Sequence, residues 1–377
     1  MTGRKIMRPS RAIIKDMLEY QDAKPGAVGK SINAMLEDKL PNSFNKKRLH
    51  LYSDLVKRGE TSSIADMVRQ NPQNEFPYLI SIAAQKLKKE DKSFNELLFP
   101  LIHENQMEFF ASIIRALKSS DSSLKVGACK CLRILKYAEV NKKDVIDQDL
   151  FAGVELTDIS SELSKMLGSK SFRFKIEALL TLSSLANNLR FDAGLNELSV
   201  EQIVSLLYDK RPPLVEAAAD LLGVLPYDND LDTSPALPKV IELLMSKASR
   251  EVKISCSNAV CAMTQMLGID IKEAFPGLKI VLEFKTGAGL AILAFSSALK
   301  NEEDVTDYIP NIIQVLDSDS SADVEPAVIF IEDCIEKKVP VPVEEIKKKI
   351  PRLLSQEELK MYANWLLKIL DEIPPPN

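Results

Sequence analysis

Aromatic residues make up only 6% of this chain, with a single tryptophan, and there are only 13 glycines. A large β protein draws on aromatic and β-branched strands and glycine-rich turns, so these shortages argue against one. Histidine occurs twice, which leaves little for acid–base chemistry near neutral pH. Cys129, Cys131, Cys256, Cys261 and Cys334 are few and odd in number, and they sit in helical patterns. Buried free thiols in a reducing compartment are expected rather than a disulfide framework. Long apolar runs are also missing. The longest uncharged stretch, Ile254–Ile269, carries Ser255, Ser257, Asn258, Thr264 and Gln265. A bilayer span needs about 20 mainly apolar residues, so no membrane insertion is expected. The N-terminus, MTGRKIMRPSRAII, lacks the apolar core of a secretory signal. The expected location is cytoplasmic.

What remains favours helices. Hydrophobic residues reach 45% and charged residues 27%, enough to bury a sizeable core across 377 residues. Net charge is −5 but unevenly spread, at +6 over residues 1–50 and −9 over residues 301–377. Such asymmetry bears on association rather than on fold.

One pattern recurs from about residue 105: a helix, a short polar turn, then a second helix with apolar residues at offsets 0, +4, +8 and +11. It reads Leu124, Ala128, Leu132, Leu135; Phe174, Ala178, Leu182, Leu185; Leu214, Ala218, Leu222, Leu225; and Val252, Cys256, Val260, Met263. Leu290, Ala294, Ala298 and Val324, Val328, Ile335 are looser copies, and Leu359, Ala363, Leu367, Leu370 restore it. At 100° per residue these offsets share one stripe, and the small residue at +4 lets two helices approach closely. The starts lie 50, 40, 38, 38, 34 and 35 residues apart, the long first step absorbing an insertion at 141–155. The first helices share a proline in an apolar context: Leu237-Pro238, Phe275-Pro276, Ile309-Pro310 and Ile350-Pro351. Proline is tolerated in a first helical turn, so it is expected to shape each repeat start alike.

With a period near 40, these features make residues 105–371 resemble HEAT-repeat proteins, the family of phosphatase scaffold subunits, adaptins and importins. The resemblance implies an all-α fold, a right-handed superhelical α-solenoid of about seven or more HEAT-like helix pairs. Residues 1–104 are expected to form an irregular helical capping region, with helices at 10–20, 30–39, 44–57 and 76–89, and 372–377 a short tail.

Motifs that imitate chemistry fail on their spacing. His103-Glu104 is similar to the His-Glu pairs of HEAT-repeat di-iron hydroxylases, but that likeness implies several pairs and the chain has one. Cys129 and Cys131 diverge by about 200° on a helix, and Cys256 and Cys261 lie off the i, i+4 register, so neither pair closes on a metal. Gly26-Ala27-Val28-Gly29-Lys30-Ser31 echoes a phosphate loop, yet Lys24 stands where the motif needs glycine and no strand precedes it. Asp228, Asp230 and Asp232 have calcium-loop spacing, but Thr233 replaces the glycine and Lys239 the bidentate glutamate. No cofactor or metal is expected, and no catalytic residue emerges.

The expected function is a non-enzymatic protein-interaction scaffold or adaptor. Offsets +6 and +9 lie opposite the packing stripe and supply the candidate partner-binding residues Lys130, Arg133, Asp220, Asn258, Asp333, Trp365 and Lys368. The alternative is a nucleic-acid-associated protein using the basic N-terminal end: Arg4, Lys5, Arg8, Arg11, Lys46, Lys47 and Arg48. Mixed charge signs along the second helices disfavour it, since a phosphate backbone asks for a continuous basic stripe. Trp365 reads equally as an exposed anchor or as a side chain covered by Ile373–Pro376.

Overall fold

The structure is a computed structural model, described here for residues 46–86, 97–98, 100–102, 104–140, 157–186, 199–226, 231–284 and 286–371. Among these residues there is no strand, and the chain divides into two compact units, Met1–Glu162 and Leu163–Asn377. The expected helices at 10–20 and 30–39, the 141–155 insertion and the 372–377 tail lie outside the described residues, as do His103 and the Gly26–Ser31 turn.

The first unit holds α1 (Lys46–Arg58), α2 (Thr61–Gln70), α3 (Pro72–Lys86), α4 (Gln106–Lys118) and α5 (Ser122–Val140). The sequence reading found α1 and most of α3. It missed α2, whose buried apolar residues are only Ile64 and Val68, too few to mark a period. Helix α3 is the hub, packing against α1, α2, α4 and α5. It meets α5 across residue 104, and the compact units divide at 162/163. Phe76 and Phe109 meet edge-on at 5.3 Å in this core, and both are fully buried. Gly127 of α5 lies so close to Ile80 of α3 that a Cβ would overlap the Ile80 carbonyl. Glycine is what permits that approach.

Helix α6 (Thr157–Leu167) spans the division. The second unit continues with α7 (Phe172–Ala186), α8 (Val200–Leu206), α9 (Pro212–Leu222), α10 (Leu237–Met245), α11 (Arg250–Leu267) and α12 (Phe275–Leu282). It ends with α13 (Gly289–Lys300), α14 (Ile309–Val315), α15 (Ser321–Glu336), α16 (Val343–Ser355) and α17 (Lys360–Asp371). Two ladders organise it. Second helices α7, α9, α11, α13, α15 and α17 each pack on the next, and first helices α10, α12 and α14 do the same. Every first helix from α8 onward also packs on its own second helix. This is a HEAT/armadillo-like α-solenoid arrangement.

Local chemistry explains the repetition. Short 3₁₀ turns at Ser234–Ala236, Lys272–Ala274 and Thr306–Tyr308 lead directly into Leu237-Pro238, Phe275-Pro276 and Ile309-Pro310, each proline in a first turn. The fourth proline corrects the sequence reading. Pro351 falls inside α16, because that helix begins eight residues earlier at Val343. Lysines one position into the apolar stripe close the A-to-B turns: Lys125 Nζ donates to the Leu117 carbonyl, and Lys253 Nζ to the Leu244 carbonyl at 2.6 Å. Both satisfy carbonyls of a last helical turn that lack an intrahelical donor, at a C-terminus where positive charge is favoured.

All seven small or short residues at offset +4 are buried completely: Ala128, Ala178, Ala218, Cys256, Ala294, Val328 and Ala363. Leu367, assigned to the same stripe, is 40% exposed. No described helix follows α17 to cover it.

Candidate interaction surface

A second helix inside the array is flanked by its own first helix and by two neighbouring second helices, so most of its circumference is covered. What stays open is a narrow stripe. Among the exposed or half-buried residues it runs through Glu177 and Leu180 on α7, then Glu216 and Asp220 on α9. It continues through Glu251, Ile254 and Asn258 on α11 and, on α13, through Leu293, Ser297 and Leu290, which the sequence pattern counts in the packing stripe but which is half-buried on this side. It finishes with Glu325, Ile329, Glu332 and Glu336 on α15, and Met361, Trp365 and Lys368 on α17. The spacing of three and four residues within each helix places each set on one side.

Only part of the expected surface coincides with this stripe. Offset +6 is half-buried at Asp220, Asn258 and Trp365, whereas offset +9 turns towards a neighbouring helix in much of the array. Asp333 is the plainest correction. It is 5% exposed, accepts a hydrogen bond from the Ser296 hydroxyl, and pairs with Lys300 Nζ at 2.7 Å, so it joins α15 to α13. Gly223 and Cys261, at the same offset, are also buried. The half-buried Lys130 spans helices too, donating to the Ala84 carbonyl at 2.9 Å, and Arg133 beside it is half-buried. Asn258 lies over Gly223, where a Cβ would collide with its amide group. Lys368 is exposed. Trp365 is half-buried, its indole N–H donating to Glu332 at 3.3 Å. The Ile373–Pro376 segment that could cover it lies outside the described residues.

The stripe is electrostatically tense at its α9 end. Burial, then the Asp220 and Glu251 carboxylates, push the Glu216 carboxyl above its usual range. Burial likewise raises Asp220, against a hydrogen bond from Ser255. Towards α17 the acids are engaged: Tyr362 OH donates to Glu325 at 3.2 Å, much as Trp365 serves Glu332. Between these ends Ile254, Leu290 and Leu293 form an apolar stretch, with Ile254 packed on Gly287.

A second feature was not foreseen. Where α13 and α15 end, their C-terminal turns border an open pocket of about 320 Å³ lined by Leu299, Glu302–Thr306, Lys337 and Val339. Glu303 is 7% exposed, and neither carboxylate oxygen has a hydrogen-bond partner. The Ile271 amide and the Asp270 carboxyl approach it without full hydrogen-bond geometry. Burial, reinforced by Asp270, pushes the Glu303 carboxyl upward, against the Ile271 amide and Lys272. Neighbouring Asp304 is lowered by the Thr306 amide it caps and stays ionised. An acid in a turn reads as solvated from sequence alone, and only the packing of α13 against its neighbours reveals the burial.

Among the described residues no three His, Cys, Asp or Glu side chains converge on a point that could hold an ion. All five cysteines are buried and none forms a disulfide, and burial pushes the Cys256 and Cys334 thiols up to about 12. His50 is exposed on α1. No helix among the described residues is long and apolar enough to cross a membrane.

No protein-family model and no curated protein matches the sequence. Among solved structures, the chain is similar to Kap121p bound to RanGTP, at TM-score 0.48 and 14% identity over 94% of this chain and 41% of that one. It is similar to an engineered protein at 0.44 and 13%, over 96% and 99% of the two chains. A designed armadillo repeat protein gives 0.36 and 19%, over 68% and 98%. At these values the fold rests on the helix ladders themselves rather than on the likenesses.

Proposed function

We propose that the protein is a non-enzymatic scaffold or adaptor that grips protein partners along the open stripe of its second-helix ladder. The observation that carries this reading is the continuity of that stripe over α9–α17, with an apolar centre at Ile254, Leu290 and Leu293 between acids on α9 and acids on α15. Apolar centres ringed by polar groups suit protein recognition, where a few desolvated contacts supply most of the affinity. The same acids disfavour a phosphate backbone, which needs cations in register.

The test compares partner capture by the native chain and by a double variant, Leu290→Asp with Leu293→Asp, after circular dichroism shows both folded. Specific partners should be retained by the native chain and reduced at least ten-fold by the variant. Equal capture by both would place binding elsewhere and sink this reading.

A further inference from the structure

We infer that the row of turns leading into α7, α9, α11 and α13 is a docking edge for an acidic, extended segment of a protein partner. The turns at 168–173, 208–213, 245–250 and 283–288 hold seven cations against two acids, Asp209 and Glu283. One lysine recurs in each turn, at Lys170, Lys210, Lys247 and Lys285, spaced 40, 37 and 38 residues apart. Spacing by one repeat brings the same turn position to the same edge of the ladder. Lys285 lies outside the described residues. Lys170, Arg173, Lys210 and Lys247 are exposed, and no hydrogen bond or ion pair engages their side chains among the described residues. The turns run into helix N-termini, where the backbone dipole is positive, and α7, α9 and α13 have no acid in the first turn to offset it. In the next turn, 317–322, Asp317 and Asp319 replace the cations, so the row ends there.

Other cations tie the turns to one another. Arg211 pairs with Asp209 at 2.5 Å and lies over the Phe172 ring of the preceding turn at 4.6 Å. Arg250 donates to the Thr286 carbonyl of the following turn at 2.5 Å, and Lys239 of α10 covers the Tyr208 ring at 4.4 Å. The free lysines thus project from turns already fixed, and an anion meets them without first ordering the backbone. Consecutive helices pack about 8–10 Å apart, and an extended chain rises about 3.3 Å per residue. Every third residue of a bound segment therefore faces a new turn. Beside the lysines, Tyr208 and Met245 are 64% and 51% exposed and offer apolar contact to side chains between the acids. Nucleic acid fits less well. A duplex asks for a longer continuous basic surface than one that stops at Asp317. A single strand stacks its bases on open aromatic faces, whereas Phe172 and Tyr208 each already carry a cation. The edge shares no residue with the second-helix stripe and extends the scaffold reading to a second surface.

The experiment uses the full chain and a fluorescein-labelled peptide of four Asp-Leu-Ser units, with asparagine in place of every aspartate as control. Fluorescence anisotropy reads the binding. The acidic peptide should bind saturably in the micromolar range, at least ten-fold more tightly than its neutral control, and weaken as salt screens the exposed lysines. Lys170→Glu with Lys210→Glu and Lys247→Glu should weaken it at least ten-fold. The milder Lys210→Ala with Lys247→Ala, expected to weaken it at least two-fold, serves should the charge reversal disturb the fold. Leu290→Asp with Leu293→Asp should bind the peptide as the native chain does. Equal binding of both peptides, no binding, native affinity in the lysine variants, or loss of binding in the Leu290/Leu293 variant would overturn the edge. So would a short labelled DNA duplex that binds more tightly than the peptide and is lost in the lysine variants, since the row would then serve nucleic acid. Failure of the edge leaves the second-helix stripe untouched, because that reading turns on partner capture by the Leu290/Leu293 variant.

Discussion

At the scale of single residues, burial and charge give opposite kinds of expectation. Leu182 is completely buried on α7, with second helix α9 packed against that helix. Leu182→Ala should cost about 2–5 kcal/mol, because the array cannot fully collapse around the missing atoms. Denaturant unfolding measures it, and a loss under about 0.5 kcal/mol would mark the residue as a surface site. Glu303 works the other way. Its carboxyl is raised in the folded chain, so the folded state holds the proton more tightly than the unfolded one. Its contribution to stability is therefore fully present below the ordinary glutamate value and is lost as pH rises through the raised value. Glu303→Gln should flatten the pH dependence of the melting temperature in that window and leave the variant no less stable at neutral pH. A steeper profile in the variant would contradict the burial of an unpaired charge.

At the scale of elements, stability depends on how closely consecutive second helices approach. Gly127 and Gly289 mark the two tightest places, the first against the Ile80 carbonyl and the second against the Ala322 carbonyl. Ala322 O lies one turn before Pro326, which has no N–H to give it, so the glycine of α13 faces a carbonyl that α15 leaves free. Either Gly→Ala change forces backbone apart and should cost about 1–3 kcal/mol or more. Hydrogen exchange should show lost protection first in α3 and α5 for Gly127→Ala, and in α13 and α15 for Gly289→Ala. Stabilisation by either change would mean the helices are not so close. The close approach was legible in the sequence as the small residue at offset +4, because packing geometry writes itself into local periodicity. The outward surface was less legible. An opposite-face rule treats a helix as having one buried side, whereas Asp333 sits on a helix with neighbours around most of its circumference. Pro351 shows the complementary limit: a local motif repeated four times, yet where its helix starts depends on the chain before it.

For the whole molecule, the deciding quantity is where the charge lies. Net charge is −5, but the first fifteen residues contain Arg4, Lys5, Arg8, Arg11 and Lys15 and no acid. The second-helix stripe of the second unit is dominated by acids, and Arg48, counted among the basic N-terminal candidates, is bound to Glu75 through its guanidinium. Tyr52 OH donates to the same carboxylate at 2.9 Å, which ties Arg48 into the fold of the first unit. Any affinity for nucleic acid should therefore come chiefly from the extreme N-terminal cations and behave as a generic backbone contact. With a labelled duplex at about 150 mM salt, the dissociation constant should be no tighter than the ~10⁻⁶ M of non-specific binding. Log affinity should fall with log salt at a slope near −4.5, since about five cations are available and each contact contributes about 0.9. Removing residues 1–15 should abolish the signal, while Glu325→Lys with Glu332→Lys should strengthen it by giving the stripe a positive end. Submicromolar binding that survives the truncation would instead make the nucleic-acid reading the better one, with the array as the docking surface.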